Sequence, residues 1–159
     1  MQQLLNTSLY LGSKYDLNLT NDNEWAVVHV CKTSHKARLG QQYNTSPYYI
    51  MFYEDNHLYI NWVDAQEPKM FDWQGQGVTN FTKVLDFIDN FIQFKKVFVH
   101  CDQGQSRSPA VAMLYLVKRL KIISPDFYEA KIEFTKIYPD YFSESGITKF
   151  LELNWNKIN

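Results

Sequence analysis

Between Val78 and Phe94 the apolar residues Phe81, Val84, Leu85, Ile88, Phe91 and Ile92 recur at the spacing of one helix face, with Lys83, Asp86 and Asp89 between them. This pattern predicts an amphipathic helix. Two earlier stretches read as β structure. Ala26 to Cys31 (AVVHVC) is rich in β-branched residues and bounded by polar clusters, and Tyr48 to Val63 reads as two strands around a Glu54-Asp55-Asn56 turn. The run Val97 to His100 (VFVH) is a further strand, entered from the amphipathic helix. A short polar loop then leads to Ser108-Pro109, which opens a second helix through about Lys121, with proline in the first turn where its missing N–H costs least. Ser124-Pro125 repeats the device for a third helix ending near Tyr138-Pro139, and Gly146 to Ile158 predicts a fourth.

Strand, helix, strand, loop, helix is the pattern of an α/β fold, here a central, largely parallel sheet of about four to five strands flanked by helices. The chain has 159 residues, 45% of them hydrophobic and 16% aromatic, enough for one buried core and too few for two ordinary domains. No internal repeat, low-complexity tract or linker interrupts it, so residues 1–159 are expected to form a single domain. In α/β folds, sites form where loops leave the carboxyl ends of strands. The loop after Val97 to His100 is therefore the place to look for chemistry.

Charge and composition narrow the classes. A net charge of −1, with acids and bases dispersed, gives no bulk attraction to nucleic acid or anionic lipid. The cations of Val117 to Lys121 (VKRLK) alternate with apolar residues as the outer face of a helix does. The longest apolar run, Ala110 to Val117, is under half of a membrane span, and the N-terminal MQQLLNTSLYLGSKYD lacks the features of a secretory signal. A cytoplasmic protein with no nucleic-acid or membrane partner is expected. Two cysteines, Cys31 and Cys101, are too few for a disulfide framework. His29, Cys31 and His35 supply only three candidate metal ligands, so strand-end packing is preferred and no metal or cofactor is expected.

The loop in question reads His100-Cys101-Asp102-Gln103-Gly104-Gln105-Ser106-Arg107-Ser108. Wrapped between a strand end and a helix start, its successive backbone N–H groups can converge as an anion-binding nest. Arg107 can grip two oxygens of a phosphate in a planar fork, and Gly104 lets the backbone bend without a Cβ in the way. Asp102, Gln103, Gly104, Gln105, Ser106 and Arg107 thus form the candidate substrate-binding loop. At its base the helix dipole, the converging N–H groups and Arg107 favour the thiolate of Cys101, the form that attacks phosphorus. Ser108 can donate a hydrogen bond to that sulfur and help it leave in a second step.

These residues resemble the His-Cys-x-x-Gly-x-x-Arg-Ser signature of the protein tyrosine phosphatase superfamily, and within it the small dual-specificity branch. The likeness covers roughly residues 57 to 121, with the strand Val97-Phe98-Val99 before the signature and the helix start Ser108-Pro109-Ala110-Val111 after it. It implies that Cys101 is the nucleophile, that Arg107 binds phosphate and stabilises the transition state, and that His100 orients the loop. A phosphatase of this kind also needs a proton donor for the leaving group. Asp64, 37 residues before Cys101 and just past a predicted strand, and Asp72, 29 residues before it, compete for that role. Asp64 is favoured, because a strand end positions a side chain more firmly than a loop centre.

The five loop residues carry one negative charge and no cation beyond Arg107, unlike the lysine-bearing loops of phosphoinositide-directed relatives. A singly phosphorylated side chain is the better match, so the expected partner is a phosphorylated protein, with phosphotyrosine and possible phosphoserine or phosphothreonine as the ester. A phosphatase of a small metabolite or nucleic-acid phosphate, and a phosphate-recognising module without turnover, are the alternatives. The resemblance also suggests that Cys31, at the end of a neighbouring strand, traps an oxidised Cys101 as a disulfide. Sequence does not fix the oligomeric state.

Overall fold

The computed structural model describes residues 1–159. Its strands are β1 (Gln2–Gln3), β2 (Leu9–Ser13), β3 (Trp25–His29), β4 (Met51–Glu54), β5 (His57–Ile60) and β6 (Lys96–Cys101). Its helices are α1 (Lys32–Leu39), α2 (Gly77–Ile92), α3 (Arg107–Lys118), α4 (Phe127–Ile137) and α5 (Gly146–Asn154). The six strands form one sheet in the order β1-β2-β6-β3-β5-β4. β2, β6, β3 and β5 run parallel, while β1 and β4 pair antiparallel at the two edges. The largely parallel sheet of the sequence reading is present, with six strands instead of four to five.

Central parallel strands are buried on both faces, which accounts for the unbroken β-branched and aromatic runs of β3 and β6. One face of the sheet carries Ala26, Val28, Leu58, Ile60, Val97 and Val99 into a core of 38 buried residues shared with the helices. To that core α2 contributes Phe81, Val84, Leu85 and Ile88, the apolar stripe of its periodicity. Helix α3 differs, because every residue from Arg107 to Val117 is buried. It runs through the middle of the helical layer, so its first turn and the loop before it have little freedom to move. The opposite face buries Trp25, Val27 and Phe98, with Tyr10 and Leu17 packed against them.

Two elements that position the candidate site carry weak sequence signals and were not expected. β2 is only five residues long, and its role emerges from pairing with β6 more than 80 positions away, with Ser13 opposite Cys101. Helix α1 (KTSHKARL) has no apolar stripe and buries only His35. Cys31 lies beyond the end of β3 and is the N-cap residue of α1, so the AVVHVC strand stops two residues earlier than its composition suggests. No helix is long and apolar enough to cross a membrane.

Candidate functional site

Because β6 lies between β2 and β3, the loop that follows it emerges at the middle of the carboxyl edge of the sheet. The loop then runs directly into α3, whose first residue is Arg107. Cys101 closes β6 and is 1% exposed. Two donors converge on its sulfur: the Gly104 N–H at 3.3 Å and the Ser108 hydroxyl at 3.2 Å. Ser108 Oγ also lies 3.1 Å from the Gly12 carbonyl. Its single proton therefore has two acceptors, and a negative sulfur competes better for it than a neutral thiol.

The loop is held from outside by contacts that its own sequence does not reveal. Gly104 adopts φ +71°, and a Cβ at this position would lie 2.8 Å from the Gly12 carbonyl oxygen, so glycine is required on both counts. The Gly104 carbonyl accepts from the Tyr138 hydroxyl at 2.9 Å, and burial pushes that phenol up to about 12. The Gln105 carbonyl accepts from the Phe142 N–H at 2.7 Å. Gly12, Tyr138 and Phe142 are therefore supports that inspection of the loop residues alone misses. The side chains of Gln103 and Gln105 face solvent, so it is the loop's backbone, and not these amides, that turns inward.

Arg107 is 2% exposed. Its Nη1 donates to the Trp62 carbonyl at 2.8 Å and its Nη2 to Asp102 at 3.0 Å, while its Nε–H has no partner in the protein. Burial raises the Asp102 carboxyl, but the nearby Thr33 side chain, the Arg107 guanidinium and Lys14 more than offset this and hold it below the usual carboxylate range. An ionised Asp102 thus fixes the guanidinium at the edge of the loop. Asp64 approaches from the loop after β5: its Oδ1 accepts from Ser106 Oγ at 3.1 Å and its Oδ2 lies 4.0 Å from Arg107. The side chain of Asp64 is 60% exposed, in contrast to the buried Arg107 beside it. Its rival Asp72 instead accepts from the Gly77 N–H at 2.9 Å at the start of α2.

The structure therefore brings Cys101, Asp102, Ser106, Arg107, Ser108 and Asp64 together. The matching family model is the dual specificity phosphatase catalytic domain, over residues 9–140. The chain belongs to that family. Among relatives, dual specificity protein phosphatase 5 of Rattus norvegicus is 29% identical over 139 residues, covering 75% of this chain and 31% of its own. The Homo sapiens protein of the same name is 30% identical over 116 residues, covering 69% and 25%. The chain thus spans about a third or less of the length of these curated relatives. Among solved structures, the Yvh1 phosphatase domain from Chaetomium thermophilum superposes with a TM-score of 0.63 at 18% identity, over 98% of this chain and 95% of that one. Human tyrosine phosphatase-like serine/threonine/tyrosine-interacting protein gives 0.61 at 18% identity, over 94% and 92%. At such identities the superpositions establish a dual-specificity phosphatase fold.

The other residues singled out in the sequence lie apart from this loop or beside it. His35 Nε2 contacts the Tyr48 carbonyl at 3.0 Å, and His29 is engaged by His100 and His57. Cys31 donates to Ser34 Oγ at 3.4 Å, and burial pushes its thiol up. These three side chains make separate contacts and do not converge on a common point.

Proposed function

We propose that this chain, acting as one catalytic domain over residues 1–159, hydrolyses phosphotyrosine monoesters, and in a shallow pocket phosphoserine and phosphothreonine, through a phosphocysteine at Cys101. The observation that carries this reading is the convergence of the Gly104 N–H and the Ser108 hydroxyl on a buried Cys101 sulfur, beside an Arg107 whose Nε–H is unpartnered.

In the first step the Cys101 thiolate attacks phosphorus and the P–O bond to the side chain breaks. Arg107 and the loop N–H groups hold the non-bridging oxygens, whose charge grows as the transition state forms. Asp64, protonated, gives its proton to the departing oxygen. In the second step water attacks the phosphocysteine, the now ionised Asp64 takes a proton from it, and the P–S bond breaks. Ser108 donates to the sulfur as negative charge returns there. The products are the free hydroxyl and inorganic phosphate, and the enzyme is restored.

Turnover should be compared on phosphotyrosine, phosphoserine and phosphothreonine peptides beside inositol phosphates and nucleotides. Cys101→Ser should abolish turnover and keep ester binding, EDTA should have no effect, and vanadate should inhibit by occupying the loop. Near-normal activity in Cys101→Ser, or a strict metal requirement, would overturn the covalent mechanism. A preference for nucleotides or inositol phosphates over all peptides would replace the protein substrate by a small one.

A further inference from the structure

The carboxyl edge of the sheet carries a second concavity next to the loop. A cavity of about 120 Å³ opens between the end of β5, the start of α1 and the first turn of α2. Helix α2 runs back toward the start of β6, so its N-terminus, with Asn80, lies at the same edge as the loop. One backbone group joins the two sites: the Trp62 carbonyl accepts from Arg107 Nη1 at 2.8 Å and from the Lys32 N–H at 2.9 Å. Trp62 and Val63 wall the cavity, and Asp64 follows immediately.

The walls are largely aromatic. Tyr49 and Trp73 face each other with ring centroids 6.2 Å apart, and Trp62 forms the floor against Phe81 at 4.4 Å. At the rim Met70 is 50% exposed and Trp73 44% exposed, on a segment that buries neither. Apolar side chains of this size left open beside a polar loop mark a binding surface more often than a packing fault. Beside the cavity a shallow groove passes over Lys32, Thr33 and Lys36. The two ammonium groups lie 6.0 and 5.7 Å from the Tyr43 ring, and neither belongs to any of the ion pairs in the molecule. The neighbouring surface is thus cationic and unneutralised.

We propose that this cavity is a specificity subsite that takes one aliphatic side chain of the phosphorylated polypeptide, near the phosphorylated residue, while a carboxylate of the same substrate meets Lys32 and Lys36. Size and lining point to the aliphatic class: about 120 Å³ between walls that are already aromatic and apolar suits a flexible Leu, Ile or Met side chain. Charge selects the neighbour, since the ammonium groups of Lys32 and Lys36 along the adjoining groove favour an acidic residue. The inference rests on the phosphoprotein reading given above.

The test is a set of phosphotyrosine peptides with each flanking position varied in turn among Leu, Ile, Met, Phe, Ala, Ser, Glu and Lys, read as kcat/KM. At one position Leu, Ile or Met should exceed Ala by about ten-fold or more. Trp73→Ala should erase that preference and Lys32→Glu should erase the preference for an acidic neighbour, both with unchanged kcat/KM on a small aryl phosphate. A flat peptide profile in an enzyme that turns peptides over would overturn the subsite and leave the proposed function standing. A preference for Phe would overturn the aliphatic assignment, and variants that lose peptide and aryl phosphate activity together would overturn the separation of the two sites. Turnover of aryl phosphate with none of any peptide would instead overturn the phosphoprotein reading itself.

Discussion

His100 Nε2 lies 2.6 Å from His29 Nδ1, across the parallel pair in which these residues stand directly opposite each other. The contact continues outward, where His29 Nε2 meets His57 Nδ1 at 3.0 Å, and inward, where His100 Nδ1 lies 3.3 Å from the Cys101 carbonyl. A carbonyl can only accept, so His100 carries its proton on Nδ1 and accepts on Nε2. The same order then passes along the chain, and all three neutral rings hold the proton on Nδ1. His29 and His57 thereby fix the orientation of the ring that touches the Cys101 backbone, a role that no single-residue reading of His29 suggests.

This chain makes stability depend on pH. Burial pushes His100 down to about 4, and burial with its two histidine neighbours pushes His29 lower still. In the unfolded chain both would charge near pH 6.5. Below that value the unfolded state binds more protons than the fold, so the stabilisation is full above about pH 6.5 and is lost as pH falls toward about 4. Each such histidine costs about 1.4 kcal/mol per pH unit in that window. Urea midpoints should drop between pH 7 and 5, and His29→Gln should flatten the slope. A midpoint independent of pH over this range would show that the rings titrate normally in the fold.

Asp64 and Asp72 should separate by leaving group. Asp64→Asn should lower kcat by about 10²- to 10⁴-fold on an alkyl or phenyl ester and much less on an activated aryl phosphate. Asp72→Ala removes the acceptor for the Gly77 N–H and should instead cost about 0.5–2 kcal/mol of stability, with equal effect on both esters. Reversal of the two kinetic patterns would transfer the acid role to Asp72.

Gly146 offers a remote handle on the same loop. Its N–H donates to the Ala65 carbonyl at 3.0 Å, and a Cβ on it would fall 2.2 Å from that oxygen. Gly146→Ala must therefore displace Ala65, and Asp64 with it. We expect a milder copy of the Asp64→Asn leaving-group dependence, together with a loss of about 1–3 kcal/mol in denaturant unfolding. Unaltered kinetics in a folded variant would show that Asp64 is positioned independently of α5.

Cys31 should protect Cys101 from oxidation. The register that sets His29 opposite His100 brings the chain past Cys101 just before Cys31, and the Val30 N–H donates to the His100 carbonyl at 3.0 Å. Both thiols are free, buried and part of one core. Mild peroxide should inactivate the enzyme, dithiothreitol should restore it, and a linked Cys31–Cys101 peptide should be found by mass spectrometry. Full recovery in Cys31→Ser would remove Cys31 from this role.

The sequence was most legible where the structure is local. The 3.6-residue stripe of α2, the Ser108-Pro109 first turn of α3, the turn at Asp55 with φ +51° and the loop from Cys101 to Arg107 were readable because each depends on neighbours in the chain, whereas α4 starts at Phe127 under an Asp126 cap and not at Ser124-Pro125. What could not be read depends on distant partners. β2 has meaning only beside β6, α1 is held by its position at the sheet edge, and Tyr138 joins the site through one hydroxyl across 34 residues. Four aromatic residues far apart in the chain, Tyr43, Tyr49, Trp62 and Trp73, meet around one cavity, with Tyr43 and Trp62 also buried in the core.

Strand β6 has a register partner at five positions on β2 and at five on β3. Its amides from Val97 to Cys101 have no edge from which to fray, so in hydrogen exchange they should be released only with global opening of the molecule. The rim of the neighbouring cavity, in residues 40–50 and 66–76, is built from loops and single turns and should exchange through local opening long before. On this expectation the Cys101 sulfur sits in the slowest-breathing part of the chain, and the proposed peptide subsite in a faster one. Substitutions can then accumulate at the rim, during evolution or in the laboratory, without loosening the strand that carries Cys101.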